Sequence, residues 1–361
     1  MARRFRFFLL FTGILGGLGY VTLRAVRPGD VREVRASLSV AELLRADSMG
    51  GFARALEPRP FRFPLDHGPH PEFRTEWWYV TGNLEGPDGE PFGFQLTFFR
   101  NSLVPGAPTG ESSWATNQVF MGHFALTDGG DERFRAYERF SRGTLGLAGA
   151  QAEPFRVWLE DWVLEGPVAF DGRERSRGTD SGEPGVSGSD HIFPLRLEAR
   201  EEGSGVSLVL RPSKPLVLQG DRGLSQKGPE AGNASLYYSF TRLEAEGTLT
   251  LGGEEVPVQG QAWLDREWST SALSRDQVGW DWFALQLSDG RDLMYYQLRR
   301  ADGTPHPLSK GVLVEANGES RMLSSEMVDL TVLDRWPSPL GGSPYPSRWH
   351  LAIPTEGIQL E

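Results

Sequence analysis

Hydrophobic and polar residues alternate over short stretches along most of the chain, and turn residues separate these stretches. The clearest case is Phe92–Arg100, where a large apolar residue stands at every second position up to Phe98. It follows a strand at Glu76–Leu84 and the turn residues Gly-Pro-Asp-Gly, so the two strands form a predicted hairpin. Helical periodicity is nearly absent throughout the chain. The pattern therefore predicts an all-β fold.

Other alternating stretches between turn residues predict the remaining elements. Further strands are predicted at Asn117–Thr127, Phe155–Leu164, Ile192–Glu198, Val206–Leu210, Thr248–Leu251, Val256–Leu264, Trp280–Leu287, Leu293–Arg300, Val312–Ala316, Met327–Leu333 and Arg348–Ile353. A capping-box pattern and a Gly-Gly break predict short helices at Val40–Ala46 and Phe52–Leu56. The Gly/Ser-rich segment Asp171–Asp190 is a predicted exposed loop.

The first hairpin has a counterpart in the second half of the chain. Trp77 and Leu84 stand seven positions apart, before a Pro-Asp-Gly turn and a Phe-Gln-Leu strand. Trp280 and Leu287 are also seven apart, before an Asp-Gly turn and Tyr-Gln-Leu. One such hairpin in each half indicates two similar β domains, and antiparallel strands at this spacing favour barrels or sandwiches.

The predicted organisation has four parts. Residues 1–27 form a signal peptide or membrane anchor, and residues 28–60 form a short helical linker. Residues 61–230 form the first β domain and residues 231–361 the second, with the boundary near an irregular stretch that starts at Lys214.

Charge and composition limit the function and indicate the location. The first 36 residues carry a net charge of +5 and the whole chain −11, which leaves −16 on the remainder. This acidic body argues against nucleic acid as the main partner. An apolar run at Phe7–Val21 lies between arginines and has the length of a signal-peptide core, short for a spanning helix. We expect an exported protein, periplasmic or on the extracytoplasmic face of the membrane.

The segment Gly260–Trp268 places three charges between two tryptophans. On a strand, Trp263, Asp265 and Glu267 point one way, and Leu264, Arg266 and Trp268 point the other. Charges among aromatic residues are costly unless paired, so the segment is either a structural ion network at a sheet corner or a site. A structural network would pair Asp265 with Arg74. A site would place Asp265 in an apolar cavity, close to Trp263 and to Trp280 or Trp282.

The histidines and the known nucleophile motifs give little evidence for a particular kind of site. His67 and His70 lie in a Pro/Gly loop without further clustered ligands, so we predict no metal and no other cofactor. His123 stands on the apolar face of a strand, either as a hydrogen-bonded core residue or as part of a site. The chain has no Gly-x-Ser-x-Gly motif to support a serine hydrolase, and it has no cysteine.

Several segments resemble one family, the AttH-like and carotenoid 1,2-hydratase-like proteins, also called hydroxyneurosporene synthase or lipocalin-like domain proteins. The resemblance covers about residue 60 to the end. It is carried by Phe73–Gly82, Phe92–Arg100, Gly122–Ala125, Ala262–Trp268 and Trp280–Arg300.

This resemblance implies two lipocalin-like antiparallel β-barrel domains. Members of the family usually finish with two further strands that this sequence does not contain, so we expect the second barrel to be incomplete, with an exposed edge. The hydratases of the family have Asn-Trp-Gly after the central aspartate. Arg266 follows Asp265 here, as is typical of the exported branch of the family.

Two functions are open at this point. In the first, a hydro-lyase protonates an isolated C=C bond through Asp265, tryptophans stabilise the cation, and Glu267 or His123 positions water. In the second, a carrier or accessory protein of an ABC transport system binds an isoprenoid, lipid or polyketide without catalysis. The predicted ligand-binding residues for either function are Trp77, Tyr79, Trp263, Trp268, Trp280, Trp282 and Tyr296.

Overall fold

The structure is a computed structural model, and it describes residues 50–108, 110, 112, 114–168, 188–271, 273–274, 276–338 and 344–361. The described residues all belong to one compact unit. The predicted anchor at residues 1–27, the helix at Val40–Ala46 and most of the loop Asp171–Asp190 lie outside the described residues. Within the described ranges, no helix has the length and hydropathy needed to cross a membrane.

The fold is all-β, as the sequence predicts. A 13-stranded antiparallel sheet has the order β4-β3-β2-β1-β13-β12-β9-β8-β7-β6-β5, with β10 and β11 also paired to β12. Its strands are β1 (Thr75–Glu85), β2 (Pro91–Ser102), β3 (Gln118–Asp128), β4 (Arg133–Arg142), β5 (Ala148–Gln151), β6 (Phe155–Leu159), β7 (Trp162–Gly166), β8 (Leu195–Glu201), β9 (Ser204–Pro212), β10 (Val217–Leu218), β11 (Leu224–Gln226), β12 (Ala234–Leu251) and β13 (Glu254–Ser271).

Two smaller antiparallel sheets follow along the chain. The four-stranded sheet has the order β14-β15-β16-β17 and the three-stranded sheet the order β18-β19-β20. Their strands are β14 (Gln277–Gln286), β15 (Asp292–Arg300), β16 (Lys310–Val314), β17 (Ser320–Ser324), β18 (Asp329–Trp336), β19 (Tyr345–Ile353) and β20 (Ile358–Leu360). Single 3-10 turns occur at Leu65–His67, Ser189–Ile192, Ser325–Met327 and Pro354–Glu356.

The 13-stranded sheet curls until its two ends nearly meet, so it resembles an almost closed barrel. Arg139 on β4 pairs with Glu201 on β8 at 2.6 Å and also with Asp161, and its guanidinium lies 4.5 Å from the ring centre of Trp162. The inward-facing side chains form one large apolar cluster. Trp78, Leu96, Phe124 and Trp162 are among its fully buried members.

The four-stranded sheet packs against the outer face of the curled sheet. Alternation along β15 divides its side chains: Met294 and Tyr296 face the curled sheet, and Leu293 and Tyr295 face the three-stranded sheet. A buried ion cluster joins the layers, since Asp292 on β15 forms ion pairs with Lys214 at 2.8 Å and with Arg242 at 2.6 Å.

Several sequence predictions differ from the structure in position. The strand predicted at Phe155–Leu164 is two strands, because Glu160 adopts a positive φ of 58° and turns the chain. The helix predicted at Phe52–Leu56 is not formed, since this segment bonds other parts of the fold: Ala53 N donates to Glu72 O at 2.9 Å.

The boundary predicted between residues 230 and 231 falls between β11 and β12, two strands of one sheet, and the change of sheet comes after Ser271. The division at residue 230 stays a prediction.

Candidate functional site

Asp265 lies in the middle of the outer face of the curled sheet. Its strand, β13, runs between β12 and β1, so Asp265 stands opposite Ser239 on one side and Tyr79 on the other. The same row continues through Thr97 on β2 to His123 on β3. Neighbouring strands are about 4.8 Å apart, which places the backbone of His123 roughly 14 Å from that of Asp265.

A cavity of about 260 Å³ lies between this row and the hairpin β14–β15. The curled sheet supplies the floor and the hairpin supplies the cover. Except for Trp263 and Trp268, all the predicted site residues line it. The lining comprises Trp77, Tyr79, Gln95, Thr97, Phe99, His123, Lys227, Tyr237, Asp265, Glu267, Leu273, Trp280, Trp282, Tyr296 and Leu298.

Asp265 is a buried acid held by neutral donors. It is 3% exposed, and its Oδ1 accepts from Ser239 Oγ at 2.5 Å and from Trp263 Nε1 at 2.7 Å. Among the described residues, none of the arginines, Arg74 included, lies within ion-pair distance of Asp265. Burial raises the pKa of Asp265 to about 6, against the opposing effect of these hydrogen bonds and of the more distant Lys227. A neutral carboxylic acid is therefore accessible near physiological pH.

Glu267, two residues further along the same face, has a charged partner. Its Oε1 accepts from Lys227 Nζ and from Ser235 Oγ in very short contacts. The two carboxyl groups therefore differ in environment, since one is paired with a cation and the other is not. Such a division is what separates the acid from the charged carboxylate in sites with two carboxyl groups.

Aromatic rings enclose Asp265 from above and beside. Tyr79 and Trp282 meet edge to face with ring centres 5.3 Å apart. Tyr296 is fixed by a hydrogen bond between its hydroxyl and Ser225 Oγ at 3.0 Å. Burial raises the pKa of Tyr79 to about 12, so this phenol stays neutral at physiological pH. The π faces and neutral hydroxyls suit an apolar molecule, or a cation formed from one.

His123 stands at the outer end of the row. Its side chain is 30% exposed, its Nε2 lies 3.1 Å from Glu138 Oε2, and its ring packs against Phe99 at 5.3 Å. The structure therefore brings His123 to the cavity but not beside Asp265.

Trp263 and Trp268 do not line the cavity. Trp263 contacts Asp265 through its indole N–H and faces an adjoining groove. Trp268 lies on the opposite face of β13 and stacks on His70 with ring centres 3.9 Å apart. The alternation of side chains along the strand sends it into the barrel.

The opposite face of β13 carries a structural ion network. Arg266 is fully buried, pairs with Glu76, donates to Gly68 O at 2.6 Å and lies 4.0 Å from the ring centre of Trp78. Glu76 also pairs with Arg100. Burial opposes ionisation of Glu76, but the two arginines hold its pKa well below the usual range. A structural ion network therefore lies on the inner face of β13, opposite the cavity.

The alternation pattern does not single out Lys227, Tyr237, Ser239, Gln95 or Thr97. Lys227 belongs to the irregular stretch before β12, and its position depends on how that stretch folds over the sheet. The available signal was the rarity of lysine, because the chain has three lysines and Lys227 is one of them. Among the described residues, no group of three or more His, Cys, Asp or Glu side chains is placed to hold a metal ion.

Comparisons with known proteins agree with this fold. The AttH-like family model matches residues 54–361. An AttH-like protein of Nitrosomonas europaea, of known crystal structure, is 34% identical, with 84% of each chain covered and a TM-score of 0.69. Kievitone hydratase of Nectria haematococca shares the fold at 15% identity, with a TM-score of 0.56 over 84% of this chain and 82% of that one. No curated protein matches the chain. From the family match and the similarity to the Nitrosomonas protein, the chain belongs to the AttH-like family.

Proposed function

We propose that this protein binds an isoprenoid, lipid or polyketide and adds water to one of its C=C bonds by acid catalysis. The observation that carries the proposal is Asp265, a buried carboxyl group without an ion-pair partner among the described residues, in a chamber of aromatic rings. A chamber of about 260 Å³ is smaller than the pockets that enclose a drug-sized molecule. It therefore holds the reacting end of the ligand.

The proposed chemistry begins with proton transfer from the Asp265 carboxyl group to one alkene carbon. The other carbon becomes a tertiary cation, which the faces of Trp280, Trp282 and Tyr79 and the new Asp265 carboxylate stabilise. The oxygen of a water molecule bonds to that carbon. The extra proton of the added water returns to Asp265, which restores the acid.

Glu267 is better placed than His123 to hold this water. It is two residues from Asp265 on the same face of one strand, so the two backbone positions are about 7 Å apart. His123 is three strands away, at the cavity mouth. We therefore assign the water to Glu267 and place His123 at the entrance.

The comparisons support the class of reaction. Kievitone hydratase, as its name states, is a hydratase on the same fold. This likeness alone does not transfer its substrate, so the carotenoid activity implied by the family resemblance is one candidate among several.

A carrier role is the second candidate, and a groove beside the cavity favours it. The groove has a volume of about 1490 Å³ and shares Tyr79 and Trp282 with the cavity wall. It offers room for a long molecule whether or not chemistry follows. A carrier of this kind would serve a membrane transporter.

We also propose that residues 1–27 export the protein and attach it to the membrane. The arginine-flanked apolar run supports this. Alkaline phosphatase fused after residue 60 should be active in a bacterial host, because this enzyme requires the oxidising exterior. An inactive fusion present at a normal level would contradict export.

Mass spectrometry with isotope-labelled water distinguishes a hydratase from a carrier. The protein is incubated with an acyclic carotenoid, and separately with 2-methyl-2-heptene, in water enriched in oxygen-18. Hydration gives a product heavier by one labelled water. A carrier returns each alkene unchanged after co-purification with it. The absence of both product and bound alkene would contradict both functions.

A further inference from the structure

Lys227 brings a positive charge into the aromatic end of the cavity. Its Nζ lies 5.6 Å from the ring centre of Tyr237, 5.7 Å from that of Tyr296 and 6.0 Å from that of Trp77. The fold fixes its backbone on both sides. Lys227 N donates to Asn233 O at 2.9 Å, and Gln277 Nε2 donates to Lys227 O at 2.6 Å. The ammonium group is therefore held at one position in the cavity wall.

Their contacts to described residues leave Lys227 with one donor and Glu267 with one acceptor for a bound molecule. An ammonium group has three N–H bonds, and the contacts to Glu267 Oε1 and to Ser235 Oγ at 3.0 Å use two of them. Glu267 Oε2 accepts no hydrogen bond from a described residue. Both residues line the cavity, so we take the remaining N–H and the remaining oxygen as available to a molecule bound there.

A plain hydrocarbon that displaced water from this donor and this acceptor would leave them without partners, which is unfavourable. A carboxylate would be repelled by Glu267, and a carbonyl would leave Glu267 Oε2 without a donor. A hydroxyl group both accepts from Lys227 and donates to Glu267. Water has the same capacity.

The geometry points to an oxygen-binding subsite at Lys227 and Glu267, which holds the attacking water before hydration and the tertiary hydroxyl group of the alcohol afterwards. This assignment rests on the proposed hydration, but binding tests it without turnover. In the subsite, water donates to Glu267, accepts from Lys227 and keeps a lone pair for the carbon. Lys227 then has a direct part in the site, because it binds the oxygen that the product retains.

The test compares two probes that differ by one water, 2-methyl-2-heptene and 2-methyl-2-heptanol. Quenching of tryptophan fluorescence, read immediately after mixing, measures the Kd of each at pH 6. Burial lowers the pKa of Lys227 to about 7, so its ammonium group is charged at this pH. We expect the wild-type protein to bind the alcohol roughly tenfold more tightly, because its hydroxyl group replaces the water that the alkene leaves ordered in the subsite. The double variant Lys227→Met with Glu267→Met should lose this preference and keep the affinity for the alkene. Replacing both charges with apolar side chains of similar volume avoids an unpaired buried charge.

Lys214→Met is the matched control, because Lys214 is also buried in an ion pair but lies outside the cavity. It should keep the wild-type preference for the alcohol. Equal affinity for both probes in the wild-type protein would overturn the subsite, as would a preference that persists in the double variant. A third outcome separates the two proposals. If no hydration is found, but the wild-type protein prefers the alcohol and the double variant does not, the proposed reaction is rejected and the subsite is retained.

Discussion

Asp265→Asn should abolish hydration while the protein stays folded and still binds the alkene. General acid catalysis typically contributes a factor of about 10²–10⁴, so we expect the rate to fall at least about a hundredfold. The fold is retained because the asparagine oxygen can still accept from Ser239 and Trp263, and because the described residues contain no cation paired with Asp265. Three measurements check this result. Product formation in labelled water measures hydration, the Kd for the alkene measures binding, and thermal unfolding measures stability.

The difference in stability between this variant and the wild-type protein depends on pH. Because burial raises the pKa of Asp265 to about 6 from the usual 3.8, the folded chain holds a proton that the unfolded chain releases in this window. The contribution of Asp265 to the stability of the wild-type protein therefore falls as pH rises from 3.8 through about 6. Asparagine has no such loss, so at pH 8 the variant should be the more stable by up to about 3 kcal/mol.

Asp329→Asn is the matched control for this substitution, because Asp329 is exposed on β18. It should keep the wild-type turnover and the wild-type dependence of stability on pH. Wild-type turnover in Asp265→Asn would remove Asp265 from the chemistry. A loss of several kcal/mol at pH 5 would make it a structural residue instead.

Arg266→Met should destabilise the protein by about 3–5 kcal/mol, the usual cost of removing one partner from a buried ion pair. Methionine fills similar space but leaves Glu76 with Arg100 as its remaining arginine partner. It also leaves Gly68 O without the Arg266 donor. Urea unfolding followed by far-UV circular dichroism measures the change in the free energy of unfolding.

Arg133→Met controls for the loss of an arginine, because Arg133 is 64% exposed and pairs loosely with Asp131 at 3.6 Å. Such surface pairs contribute at most about 1 kcal/mol. If Arg266→Met cost no more than Arg133→Met, the network on the inner face of β13 would not hold the fold together.

Much of the site was predictable because it rests on local alternation. The pattern Trp-Leu-Asp-Arg-Glu-Trp assigns Asp265 and Glu267 to one face and Arg266 to the other, and the structure has them there. The two similar hairpins are both present, as β1–β2 and β14–β15. Trp77 from the first lies in the cavity floor and Trp280 from the second in its cover.

The remaining features depend on contacts between distant parts of the chain. β12 begins at Ala234 rather than at the predicted Thr248, because residues 234–241 are buried on both faces and so show no alternation. Lys227 reaches Glu267 because an irregular stretch folds over the sheet, and periodicity carries no information about such a stretch. For the structural alternative, Arg74 was the predicted partner of Asp265, but neutral Ser239 and Trp263 hold it.

The central claim is that Asp265 keeps its proton in a pH range in which an ordinary aspartate has lost it. Carbon-13 NMR of protein labelled at the aspartate carboxyl carbon tests it directly, with the Asp265 signal assigned by its absence from Asp265→Asn. We predict a titration midpoint near pH 6, where burial places the pKa of this group. A midpoint at or below the ordinary value of 3.8 would contradict the claim, because Asp265 would then be a carboxylate that has no proton to give to an alkene.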